Sequence, residues 1–191
     1  MLSEFLSFFK NFNFITSDDI KALYGIARIK KFKQDEHIIR EGQAFPYVIL
    51  VLKGLLRNYM ISSSGDEKTL KFTNEKNPTG VPECLFLDLP SPEFIQALED
   101  STVILIDERK FRTLSKSRPR LLQLKIHNMS KGVCEMANRV RFYTMLSPEE
   151  RYLDLLKTDK SIIERVEDRH LASYIGVTPV SYSRIKNRTK S

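Results

Sequence analysis

Between Arg28 and Ile106 the apolar residues come in short runs, YVILVLK at 47–53, LLRNYMI at 55–61, TLKF at 69–72 and TVILID at 102–107, broken by EGQ, KG and SSSGDE. Short runs with such punctuation predict a compact antiparallel β unit. Gly54 and Gly65 fall between runs and read as turn glycines, and no glycine-rich phosphate loop is present. Ahead of this region the rhythm is helical. Residues 2–14 carry Phe5, Phe8, Phe9 and Phe12 on one side, and Thr16 or Ser17 with Asp18 and Asp19 opens a second helix to about Ala27. Residues 73–93, TNEKNPTGVPECLFLDLPSPE, hold four of the eight prolines and interrupt the strands. A connection this long is either a functional site or a surface excursion.

From Pro119 the spacing changes again. Leu122, Ile126, Met129, Val133, Met136, Val140 and Tyr143 recur at alternating steps of four and three, a heptad seam. So narrow a stripe fits a two-stranded coiled coil; packing on the chain's own β unit is the alternative, and Leu121 and Leu124, off the seam, can serve that second contact. Ser147 as N-cap, Pro148 and the acids Glu149 and Glu150 start a further helix through Leu156. Residues 157–166 lead into the last segment, and the hinge falls at Thr144 to Ser147.

Asp168 to Asn187, DRHLASYIGVTPVSYSRIKN, has the pattern of a helix-turn-helix. Leu171, Ala172 and Ile175 share one helical stripe and Tyr182 and Ile185 another. Ala172 allows a close helix crossing, Gly176 supplies the positive backbone angle of a sharp turn, Thr178 caps the second helix and Pro179 opens it. After Asp168 there is no acid, whereas Arg169, Arg184, Lys186, Arg188 and Lys190 follow. A helical hairpin with a solvated basic end is the alternative.

Composition changes this picture little. The net charge of +7 and pI near 9.4 favour an anionic partner without choosing among nucleic acid, acidic protein and membrane surface. No apolar run reaches membrane-spanning length and the N-terminus lacks the basic start and small-residue cleavage site of a leader, so a cytoplasmic protein with no membrane partner is expected. Cys84 and Cys134 are too few for a disulfide framework or a one-chain iron–sulfur site and are expected to be buried. Metal-ligand spacing, a nucleophile elbow and a phosphate loop are all missing, so an enzyme is not expected, and neither is a metal or cofactor.

The order of parts resembles the Crp/Fnr family of bacterial transcription regulators, in the branch typical of Bacteroidetes. The residues that carry the resemblance are REGQ at 40–43, VLKGLLRNY at 51–59, ALEDS at 97–101, SPEERYLDLL at 147–156 and HLASYIGVTPVSYSRIK at 170–186. It implies an α+β chain: an N-terminal antiparallel β-roll like a cyclic-nucleotide-binding domain, with flanking helices (1–118), a long dimerisation helix (119–145) and a helix-turn-helix domain (146–191). Few residues follow the last helix, so the wing of many relatives is expected to be truncated or absent. The resemblance also implies a homodimer on double-stranded DNA, with RNA polymerase as a further partner.

Two-fold symmetry would set two recognition helices on successive major grooves about 34 Å apart, hence a palindromic site. Arg184 suits a bidentate contact with guanine, with Pro179, Val180, Ser181 and Ser183 beside it. Ser173, Thr178, Lys186 and Arg188 suit phosphate. The family often has an acid where Val180 stands, so an acceptor for cytosine is lost. Relatives that bind cyclic AMP use a Gly-Glu segment and an Arg-Ser or Arg-Thr pair. Here the loop offers Lys76, Gly80, Glu83 and Ser91, with Pro90, Ser91 and Pro92 where the pair belongs. Cyclic AMP is therefore not expected to bind, and the small-molecule effector is unknown. His37 and His127, the candidates for a haem ligand, read as surface or interface histidines, and His170 has no paired ligand nearby. The competing reading is an effector-binding or protein-docking module of the same fold without sequence-specific DNA binding.

Overall fold

The computed structural model describes residues 5, 6, 8, 9 and 12–189. The helix expected over 2–14 lies largely outside the described residues, as does Lys190.

Helix α1 (Ser17–Gly25) begins with a capping box in which the Thr16 side chain accepts from the Asp19 backbone and the Asp19 carboxylate accepts from Thr16. It stops before Ala27, which opens strand β1 (Ala27–Phe32). The strands that follow are β2 (His37–Ile39), β3 (Tyr47–Lys53), β4 (Leu56–Ile61), β5 (Glu67–Thr73), β6 (Pro78–Thr79), β7 (Phe94–Ala97) and β8 (Ser101–Asp107). They form two four-stranded sheets, ordered β1-β8-β3-β6 and β2-β7-β4-β5. β8 is antiparallel to both neighbours, with Ala27 opposite Ile106 and Ile49 opposite Leu105.

The period-two alternation along β3 and β8 explains why this sheet is covered on both faces. Ile49, Val51, Val103 and Leu105 point to one core, with Phe32, Ile39, Leu56, Val81, Cys84 and Ile95. Leu50, Ile104 and Ile106 point to a second, with Phe5, Phe9, Leu23, Phe111, Leu121 and Leu124. Gly54 joins β3 to β4 at φ +105, and a Cβ there would lie 2.2 Å from the Ser101 Oγ and 2.8 Å from its Cα, so position and backbone angle both demand glycine.

The 73–93 stretch is not one open loop. It holds β6 and the short helix α2 (Pro82–Phe86), and α3 (Glu108–Ser115), which the sequence pattern did not announce, follows β8. Next come the long α4 (Pro119–Met145), α5 (Pro148–Thr158), α6 (Lys160–Arg165), α7 (Asp168–Ile175) and α8 (Pro179–Arg188). Residues 157–166 were expected only to lead into the helix-turn-helix. Instead Asp159 caps α6 through Ile162 N.

Two compact units result. One is Met1–Arg57 with Thr73–Ser130, the other Asn58–Phe72 with Lys131–Ser191. The division falls inside α4, and the β4–β5 hairpin groups with the C-terminal helices.

Candidate nucleic-acid interface

In the C-terminal unit α7 ends at Gly176, whose φ of 76° and ψ of 37° are left-handed, with its N–H bonded to Ala172 and Ser173 carbonyls. A Cβ at Gly176 would stand 3.1 Å from the Tyr143 ring and 3.3 Å from Arg151 Nη1. Thr178 then caps α8, its hydroxyl accepting from Ser181 N at 3.2 Å, and Pro179 sits in the first turn. Tyr182 and Ile185 are buried, as are Leu171, Ala172 and Ile175 of α7. The Tyr182 ring meets Tyr152 of α5 edge-on at 5.6 Å. Its hydroxyl is buried without a hydrogen-bond partner, and burial pushes the phenol well above its ordinary pKa.

Arg151 fixes the bend between α4 and α5. Its guanidinium donates to the carbonyls of Phe142, Leu146 and Tyr143 at 3.2, 3.0 and 2.9 Å, and to that of Ile175 at 3.0 Å. One cation thus satisfies the carbonyl ends of two helices, α4 and α7, where a positive charge is favoured. Arg139 lies 3.7 Å from the centre of the Tyr174 ring and donates to the Tyr174 carbonyl. Burial lowers its pKa, although the Tyr174 and Tyr143 hydroxyls work the other way. The sequence reading assigned no role to Arg139 or Arg151. Neither belongs to a periodic pattern, and their partners are backbone atoms that sequence does not display.

The outward face of α8 carries Pro179, Val180, Ser183, Arg184, Asn187 and Arg188. Val180 is 62% exposed. The side chains of Ser183 and Arg184 make no hydrogen bond or ion pair among the described residues. The other expected contacts lie differently. Ser181 is half-buried, its hydroxyl 3.1 Å from that of Thr178. Lys186 folds back onto the Asp168 carboxylate at 2.7 and 2.9 Å, and Arg188 meets Glu149 at 2.6 Å.

Ser173 corrects an expectation. Its hydroxyl donates to Glu67 O and accepts from Thr69 N, both at 2.8 Å, so it joins α7 to the β4–β5 hairpin and is not held out for phosphate. Phe72 packs on Tyr174 at 5.0 Å and Lys71 pairs with Glu135 at 2.8 Å beside it.

Along α4, Leu122, Ile126, Met129, Val133, Met136 and Val140 are all exposed, the last three by 63% or more, whereas Leu121 and Leu124 are buried in the β-roll's second core. Tyr143 departs from the seam: its hydroxyl donates to the Tyr174 carbonyl at 2.6 Å and Arg139 lies over its ring. Cys134 is exposed and only Cys84 is buried, which corrects the expectation for the pair.

In the β-roll, Lys76 is exposed with φ +67, Gly80 lies against Leu85, and Glu83 is half-buried on α2. Ser91 is 2% exposed; its hydroxyl donates to Glu93 O at 2.6 Å and accepts from Glu93 N at 3.2 Å. It is a structural serine of the turn into β7, not a group facing an effector. His37 meets Phe94 edge-on at 5.8 Å, exposed His127 meets Phe12 at 5.3 Å, and His170 is buried. Among the described residues no three His, Cys, Asp or Glu side chains form a metal cluster, and no helix is long and apolar enough to cross a membrane.

A β-roll followed by a long helix and a capped helix-turn-helix is a two-part architecture that solved structures share. Residues 29–118 match the cyclic nucleotide-binding domain family, and the chain as a whole has the fold of Crp/Fnr transcription regulators. FixK2 from Bradyrhizobium japonicum superposes with a TM-score of 0.75 over 86% of this chain and 85% of its own, at 18% identity. A structure described as a Crp/Fnr-family transcriptional regulator from Eubacterium rectale gives 0.75 over 96% and 88%, at 16% identity. The c-di-GMP responsive global regulator CLP of Xanthomonas campestris gives 0.73 over 92% of each chain, at 13% identity. No curated protein matches the sequence significantly.

Proposed function

We propose that the chain is a sequence-specific DNA-binding transcription regulator of the cytoplasm, acting as a homodimer on a palindromic promoter site, with RNA polymerase as a further partner. The outward face of α8 carries this reading: a helix fixed by its cap, its buried tyrosine and Gly176 presents Val180, Ser183 and Arg184 without using them in the fold. Arg184 offers its planar fork to guanine. Thr178, Lys186 and Arg188 take phosphates; the ion pairs that hold the two cations are at the surface and exchange a carboxylate for a phosphate at little cost.

The exposed stripe from Leu122 to Val140 supplies the two-fold contact, since a sustained apolar seam on a long helix fits a second copy of itself. Cyclic AMP does not control the protein in this reading: the place of the phosphate-binding arginine pair is taken by Pro90, Ser91 and Pro92, and the Ser91 hydroxyl is turned inward. Lys76, Gly80 and Glu83 remain as the elements of a different effector pocket.

Selection from a random DNA pool by the purified protein, without ligand and at near-physiological salt, tests the reading. A palindrome with half-sites about one helical turn apart is expected. Recovery of bulk sequence by a folded dimer overturns it. Replacing Met136 by Glu is expected to give a monomer by sedimentation, and a variant that stays dimeric refutes the seam.

A further inference from the structure

We propose that Val180 reads the C5-methyl group of a thymine in each half-site, and that Arg184, one helical turn further on, reads a guanine about two base pairs away; the assignment rests on the DNA-reading function above. Val180 is the second residue of α8, at the end of a recognition helix that meets base edges. It is 62% exposed. Its neighbours on that face, Ser183, Arg184, Asn187 and Arg188, are polar or charged, so it is not the edge of a core.

Nothing in the fold favours valine here. A β-branched residue is a weaker helix former than alanine or glutamate, and the first turn favours an acid through the helix dipole. An exposed valine directly after Pro179, in a first turn that would favour an acid, is left free to touch a group outside the chain. In the major groove the one apolar group on a base edge is the thymine methyl. Four residues of helix advance about 6 Å, close to two base-pair steps of roughly 3.4 Å, which sets the spacing between the valine and arginine contacts. The face also carries no acid, so cytosine N4 has no carboxylate to meet.

The experiment replaces each thymine of one selected half-site in turn by deoxyuridine, which lacks only that methyl, and measures binding of the wild type, Val180→Ala and Val180→Glu. One thymine is expected whose replacement weakens the wild type about three- to fivefold, the effect of one buried methyl-sized group. That penalty shrinks in Val180→Ala and vanishes in Val180→Glu, which gains a preference for cytosine at the same position. Both substitutions suit an exposed first helical turn, so folding is retained. Deoxyuridine without effect at every position, or a penalty unchanged in both variants, overturns the assignment while leaving the DNA reader intact. A wild-type protein that binds all duplexes alike overturns the reader and this assignment with it.

Discussion

The α7–α8 turn and the stretch from β6 to β7 both carry turn residues and candidate site residues, yet they place their side chains in opposite ways. On α8, Val180, Ser183 and Arg184 stay outside while Tyr182, Ile185 and Gly176 build the scaffold. Between β6 and β7 the polar Ser91 and Glu93 are buried, and Phe86, Leu87 and Leu89 are the exposed ones. The difference teaches that the side chains available for an outside contact are those the fold itself leaves unused. A residue of the right chemical type in the expected loop is not enough.

The largest test of this contrast is Arg151→Ala. Loss of its bonds to four carbonyls should destabilise the C-terminal unit by roughly 2–4 kcal/mol in urea unfolding. A change under about 0.5 kcal/mol would remove Arg151 from the scaffold. Arg184→Ala should leave stability within about 0.5 kcal/mol but cost about 1–3 kcal/mol of discrimination between the selected site and bulk DNA. Ser91→Ala should show the reverse pattern, a loss of about 1–2 kcal/mol of stability with site preference intact. Tyr182→Phe removes a buried hydroxyl that has no partner, so stability should stay level or rise by up to about 1 kcal/mol, and a clear loss would reveal a bonded hydroxyl.

The smallest effect concerns Glu150. Hydrogen bonds from the Ser147 side chain and backbone hold its carboxyl below the ordinary glutamate value of 4.5. Because the folded pKa is the lower one, its contribution is present above that value and is lost as the pH falls through the folded pKa. Thermal unfolding between about pH 3 and pH 6 should be flatter for Glu150→Gln than for the wild type.

Most caps were legible, although Thr16 and Ser17 were both candidates at α1 and the Asp107 and Asp159 caps were not foreseen. Thr16, Ser147, Thr178, Pro179 and Gly176 act through neighbours two to four residues away, and local spacing encodes such contacts. The buried and exposed stripes of α4 were legible for the same reason, except at Tyr143. Ser173, Lys186 and Ser91 were not. Each is a polar group of the expected type that the fold turns to its own use: Ser173 bonds Glu67 and Thr69 across more than 100 residues, Lys186 bonds Asp168, and Ser91, whose partner Glu93 is only two residues on, is buried with its whole turn.

By itself the sequence determined the main strands and the longer helices, though not the short α2, α3 and α6, which α4 residues lie off the seam, and that a capped pair of helices ends in a basic face, because periodicity and caps are short-range physics. The tertiary structure alone decided which polar side chains the fold consumes. A hydroxyl or ammonium bonds whatever the packing brings within about 3 Å, and that choice is made only when distant segments meet.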